Sequence, residues 1–216
     1  MGILKRFFNL GSANKRKITV NRNTKETRVA LTLNIDGEGK SRISTGIGFL
    51  DHMLELFAFW GHFDLDIQAS GDLNVDIHHT NEDIGIVLGQ AFKKALGDKV
   101  GIKRIGSALA PMEGVTASVT IDISGRPSCK LVFAQEGIGF NDPQSKENYE
   151  IKYAEHFFEA LAQQLGANIN IKIENPSQDL HAILEPVFKA LGIALDQATQ
   201  IDPRRKGIPS TKGVID

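Results

Sequence analysis

Val29-Ala-Leu-Thr-Leu-Asn-Ile-Asp-Gly37 alternates apolar with polar residues and stops at a glycine, and Ala117-Ser-Val-Thr-Ile-Asp-Ile-Ser-Gly125 does the same further along. Such alternation gathers the apolar side chains on one face of a half-buried strand, and the glycine permits a turn, so both stretches read as strands entering hairpins. Each is followed by the tetrapeptide Gly-Ile-Gly-Phe, at 46–49 and again at 137–140. The chain is written twice, and that repeat governs the fold.

Working outward, each half continues with an amphipathic helix carrying one histidine: Leu50 to Phe59 with His52, and Tyr153 to Ala162 with His156. Alternating strands follow at 63–67 and 167–173, then closing helices at about 79–96 and 181–198. The register of the chemistry matches too. His52 precedes His78 by 26 residues and Glu82 by 30, while His156 precedes His181 by 25 and Glu185 by 29. The pattern predicts an α+β fold, a two-layer sandwich in which each half is a mostly antiparallel sheet covered by helices on one face. We expect a basic extension at 1–17, a first half at 18–106 and a second at 107–216, packed as one unit. The connection between them is expected around 98–116, and residues 141–150 are an insertion peculiar to the second half.

A chain of 216 residues suits two fused halves of about 100 residues each. The 25 basic and 26 acidic residues nearly cancel, so no global field invites nucleic acid, and any anion site must rest on local charge. The single cysteine, Cys129, excludes an internal disulfide framework and reads as a small apolar filler on a strand. No apolar run approaches the roughly 20 residues that cross a bilayer, so no membrane partner is expected. The apolar stretch within Met1 to Leu10 is too short for a signal sequence, which makes a cytoplasmic protein the expectation.

The chemistry concentrates in Asp76-Ile-His-His-Thr-Asn-Glu-Asp83. On a helix, residues three and four apart share a face, so His78 and His79 project with Glu82. His181-Ala-Ile-Leu-Glu185 repeats the spacing of four. Imidazole nitrogen with carboxylate oxygen suits Mn, Fe, Zn or Ni, whereas a structural zinc site would more often use thiolates. Two such motifs at matching places in a repeat, each preceded by a helical histidine, point to divalent metal binding. His62, beside Gly61 at a helix end, stands apart and suits a capping or surface role.

Six motifs in order, Thr45-Gly-Ile-Gly-Phe-Leu-Asp-His-Met-Leu54, Gly71-Asp-Leu73, His78-His-Thr-Asn-Glu-Asp83, Ser124-Gly-Arg-Pro127, Glu155-His-Phe-Phe158 and Pro209-Ser-Thr-Lys-Gly213, span roughly 18–215. In these the chain resembles imidazoleglycerol-phosphate dehydratase. The resemblance implies a lyase of histidine biosynthesis that dehydrates imidazole glycerol phosphate to imidazole acetol phosphate, using two divalent ions per site, Mn2+ first. It implies a homo-oligomer built from trimers into a 24-subunit shell with active sites between subunits.

Residue by residue, the resemblance makes His52, His78, His79, Glu82, His156, His181 and Glu185 the metal ligands. Glu26 becomes the general acid-base, acting with His52, His79 and Glu82. Arg104, Arg126, Lys189, Ser210 and Lys212 become the phosphate handle, a choice that suits the bidentate grip of arginine. Asp51 and Asp83 are candidates for orienting ligand imidazoles. The chain departs from the pattern at Ile77, where an aspartate is frequent, at Pro111-Met-Glu-Gly114, where an aspartate-glutamate pair is usual, around 174–180, and most consequentially at Ala182, which stands where a second histidine is usual. That departure keeps a second reading open, a non-catalytic relative that binds metal and assembles into a shell.

Overall fold

The computed structural model describes residues 16–134 and 143–215. Most of the basic extension, the second Gly-Ile-Gly-Phe at 137–140 and the first two residues of the insertion lie outside them. The first half runs β1 (Lys17–Asn23), β2 (Thr27–Asn34), β3 (Ser41–Ser44), α1 (Gly48–Trp60), β4 (Asp64–Gly71) and α2 (Ile77–Leu96). The second repeats that order as β5 (Ile105–Met112), β6 (Val115–Asp122), β7 (Ser128–Phe133), α3 (Ile151–Leu165), β8 (Asn168–Glu174) and α4 (Leu180–Thr199).

The two sheets have the same topology, β1-β2-β4-β3 and β5-β6-β8-β7. Two of the three pairings in each are antiparallel; β3 and β7 lie parallel to their neighbours because a helix carries the chain back between them. The alternation that announces β2 fixes its register. Leu31 faces Ile67 and Leu33 faces Leu65, all buried, and in β6 Val119 faces Ile171 and Ile121 faces Ile169 in the same way.

The halves meet helix to helix, α2 on α3 and α1 on α4. Small residues set the approach. A Cβ on Gly85 would stand 2.7 Å from the Phe157 carbonyl oxygen, and one on Gly192 would stand 2.5 Å from that of Phe57. One expectation needs revision. The segment around 98–116 is no simple connection, because β5 lies within it and β6 begins before its end. The inward residues of β5 are Gly106, Ala108 and Ala110, while Ile105 and Leu109 face outward, which inverts the usual polarity signal. The cause is α4 lying directly on the strand: a Cβ on Gly106 would fall 1.9 Å from the Ala194 carbonyl oxygen.

Candidate metal centre

Two aspartates set the stage. Asp76 caps α2 by accepting the His78 N–H at 2.8 Å, and Asp179 caps α4 by accepting the His181 N–H at 3.0 Å. Capping satisfies a backbone donor that the helix cannot, and it fixes where the first turn begins. Each histidine is thereby held at the mouth of its helix with a glutamate one turn on. His78 Nε2 lies 3.2 Å from Glu82 Oε2, and His181 Nε2 lies 2.9 Å from Glu185 Oε2.

The remaining helices bring in the other half. From α1, His52 Nε2 reaches within 3.5 Å of Glu185 Oε2, its ring edge-on to His181 at 5.2 Å. From α3, His156 Nδ1 sits 2.9 Å from His78 Nδ1. Two groups result, each spanning both halves: His52 with His181 and Glu185, and His78 with Glu82 and His156. In the first, one donor atom from each residue lies within 4.8 Å of the others. Two imidazole nitrogens and a carboxylate converging with no thiolate fit a divalent ion of borderline softness. In the second, Glu82 and His156 meet opposite nitrogens of the His78 ring, so those three donors do not converge in this arrangement.

Charge favours the first group as well. Partial burial works to raise the Glu185 carboxyl, but hydrogen bonds from Lys189, at 2.6 Å, and from His181 hold it below the usual carboxylate range. It is ionised and ready to ligate.

His79 belongs to neither group. Its Nδ1 lies 3.1 Å from an Asp72 carboxylate oxygen, and that hydrogen bond, with the nearby charges of Glu26, Asp72 and Asp76, raises the imidazole pKa above its ordinary value. Asp72 is a residue that sequence reasoning missed, although it lies within the quoted Gly71-Asp-Leu73. The aspartates chosen for the orienting role do other work. Asp51 accepts the Thr45 N–H at 3.0 Å, and Asp83 accepts from Arg22 at 2.7 Å and from the Thr27 hydroxyl. Neither of these bonds goes to an imidazole. Ala182 is buried at 2% exposure, its methyl packed into the core beside His181.

The anion candidates divide. Arg104 grips Asp122 with two nitrogens, at 2.6 and 2.9 Å, and donates a third bond to the Pro209 carbonyl at 2.9 Å. It thereby ties the loop bearing Ser210 and Lys212 to the end of β6, from which the chain runs on to exposed Arg126. Lys189 sits apart, against Glu185 in the first group. Glu26 lies in the β1–β2 turn, lining a cleft of about 230 Å3 with Thr24, Arg28 and Ser70. His62 follows the end of α1 in a left-handed conformation, φ 57°.

The chain is similar to known proteins along most of its length. Residues 45–195 match the family model described as imidazoleglycerol-phosphate dehydratase. A protein of that name from Pelobacter propionicus is 50% identical over 201 residues, covering 93% of this chain and 99% of its own. Another, from Geobacter metallireducens, is 48% identical over 200 residues, covering 93% and 99%. The crystal structure of IGPD from Pyrococcus furiosus superposes with a TM-score of 0.74 at 35% identity, covering 90% of this chain and 99% of that one.

Proposed function

The chain belongs to the imidazoleglycerol-phosphate dehydratase family, and from that premise we propose that it dehydrates imidazole glycerol phosphate to imidazole acetol phosphate with two divalent ions, Mn2+ first. The observation that carries the metal part is the convergence of His52, His181 and Glu185 from opposite halves onto one point. Bound there, divalent ions supply Lewis acidity, which favours negative charge on the substrate's imidazole and on its departing oxygen.

The protein's own groups supply the rest. Asp72 accepts a hydrogen bond from His79 Nδ1, which leaves Nε2 as the ring atom that would meet a metal ion. Glu26 moves the proton lost from carbon, and its exposed turn leaves room for substrate. Arg104, Arg126, Ser210 and Lys212 hold the phosphate, while Lys189 balances the charge on Glu185. His79, outside both groups of its own chain, completes a site on a neighbouring copy in a trimer-based shell. Exposed apolar residues on β5, Ile105 at 64% and Leu109 at 69%, suit such an assembly. Because Ala182 offers no such ligand, one of the two metal sites is the weaker.

Turnover of imidazole glycerol phosphate by purified protein, with Mn2+ supplied and then chelated, tests this reading. Metal-dependent turnover is the expected result. A folded, metal-loaded sample without turnover would overturn it and restore the non-catalytic reading, which relatives named for the enzyme at about 50% identity do not favour.

A further inference from the structure

We propose that Asp83 is a positioning residue that clamps the β1–β2 turn, and with it Glu26, onto the helix that carries His79. The inference rests on Glu26 being the acid-base. Asp83 follows Glu82 on α2 but turns away from the metal groups and is buried, with 7% exposure. A carboxylate so placed needs partners, and both of its oxygens have one. Arg22 Nε, from β1, lies 2.7 Å from one, and the Thr27 hydroxyl, from the start of β2, donates to the other. These two residues bracket the turn.

Inside the turn, the Thr24 hydroxyl accepts the N–H of Glu26 at 3.1 Å and that of Thr27 at 2.9 Å. The Thr24 N–H donates to the Thr27 carbonyl at 2.9 Å. The Glu26 carbonyl in turn accepts the Asp72 N–H at 3.1 Å, and it is the Asp72 carboxylate that holds His79. Gly71 is what lets β4 end so close: a Cβ there would stand 2.1 Å from Thr80 Oγ1 and 3.4 Å from the Glu26 carbonyl oxygen. The Glu26 backbone is therefore fixed from three sides, and Asp83 is the α2 residue that holds both ends of the turn directly. Catalytic geometry is sensitive to such supports, since a displacement of about 1 Å can cost on the order of a hundredfold in rate.

The test is a double-mutant cycle between Asp83→Asn and Glu26→Gln, repeated with Thr27→Val, which removes one donor and leaves the Arg22 pair. Asp83→Asn and Thr27→Val are each expected to lower kcat about tenfold or more, with KM and metal stoichiometry little changed. In the Glu26→Gln background, neither is expected to lower kcat further. Losses that multiply in full would overturn the clamp while leaving Glu26 its role. Full turnover by Glu26→Gln would overturn the acid-base reading and the clamp's purpose together. Hydrogen exchange over residues 22–28 reads the clamp without any turnover. Faster exchange in Asp83→Asn supports it, and unchanged exchange rules it out.

Discussion

At the scale of single residues, Glu185 has more to do than its spacing from His181 implies, because it also holds Lys189. Glu185→Gln keeps the volume but removes the charge that faces Lys189 and both imidazoles. We expect Mn2+ affinity to fall at least tenfold in calorimetric titration, and the metal-free protein to lose about 1–2 kcal/mol. The pH dependence has a definite sign. The folded carboxyl titrates below its ordinary range, so its stabilisation is fully present above that range and is lost as pH falls through the lowered value. The gap in denaturation midpoint between wild type and Glu185→Gln should therefore be level near neutrality and close in acid. Cys129 gives a second check. Burial first, then the charges of Glu159 and Glu155, push its thiol up to about 12. Alkylation at pH 8 should run on the order of a thousandfold slower in the folded chain than in denaturant. A rapid reaction would contradict its reading as apolar filler. The histidines were legible because helical spacing is a local rule. Asp72 was not, since a carboxylate seven positions before its partner follows no such rule, and neither was the Arg22–Asp83 pair, 61 positions apart.

At the scale of elements, period-two and helical patterns revealed β2, β6, β8 and all four helices, but β5 hid behind small inward residues. The same smallness governs how the helices cross. Gly85→Ala should gain up to about 1 kcal/mol in helix propensity yet force a methyl against the Phe157 backbone, which cannot yield cheaply. A net loss of about 1–2 kcal/mol is expected in chemical denaturation, and a gain would mean that α2 and α3 are free to separate. The insertion before α3 is also tied in. Fully buried Tyr149 donates to Asn81 Oδ1 at 2.7 Å, and Asn81 Nδ2 donates to the Tyr153 carbonyl at 2.7 Å. Tyr149→Phe leaves that amide oxygen buried and unpaired, so a loss of about 1–3 kcal/mol should follow. What looked in the sequence like an added loop pins α3 to α2. Its role was illegible because Asn81, amid candidate metal ligands, reads as polar surface and is in fact buried.

At the scale of the whole molecule, duplication has a mechanical consequence. Each histidine group draws donors from both halves: α1 with α4 for one, α2 with α3 for the other. An ion held by His52, His181 and Glu185 therefore acts as a bridge between the halves as well as a reagent. Mass action sets the size of the effect: free metal at a hundred times its dissociation constant stabilises the folded state by about 2.7 kcal/mol per site. For a chain of this length, 1 kcal/mol moves the melting temperature by roughly 2–4 °C, so saturating Mn2+ should raise it by several degrees. Because the bridge needs both sides, His52→Ala in the first half and Glu185→Gln in the second should each remove a similar share of that rise. Doing both should remove little more than either alone, since one missing side already opens the bridge. Differential scanning fluorimetry with and without chelator reads this directly. If His52→Ala keeps the full metal-dependent shift while Glu185→Gln loses it, the ion is bound within the second half alone, and the two halves are joined by their packed helices without help from the metal.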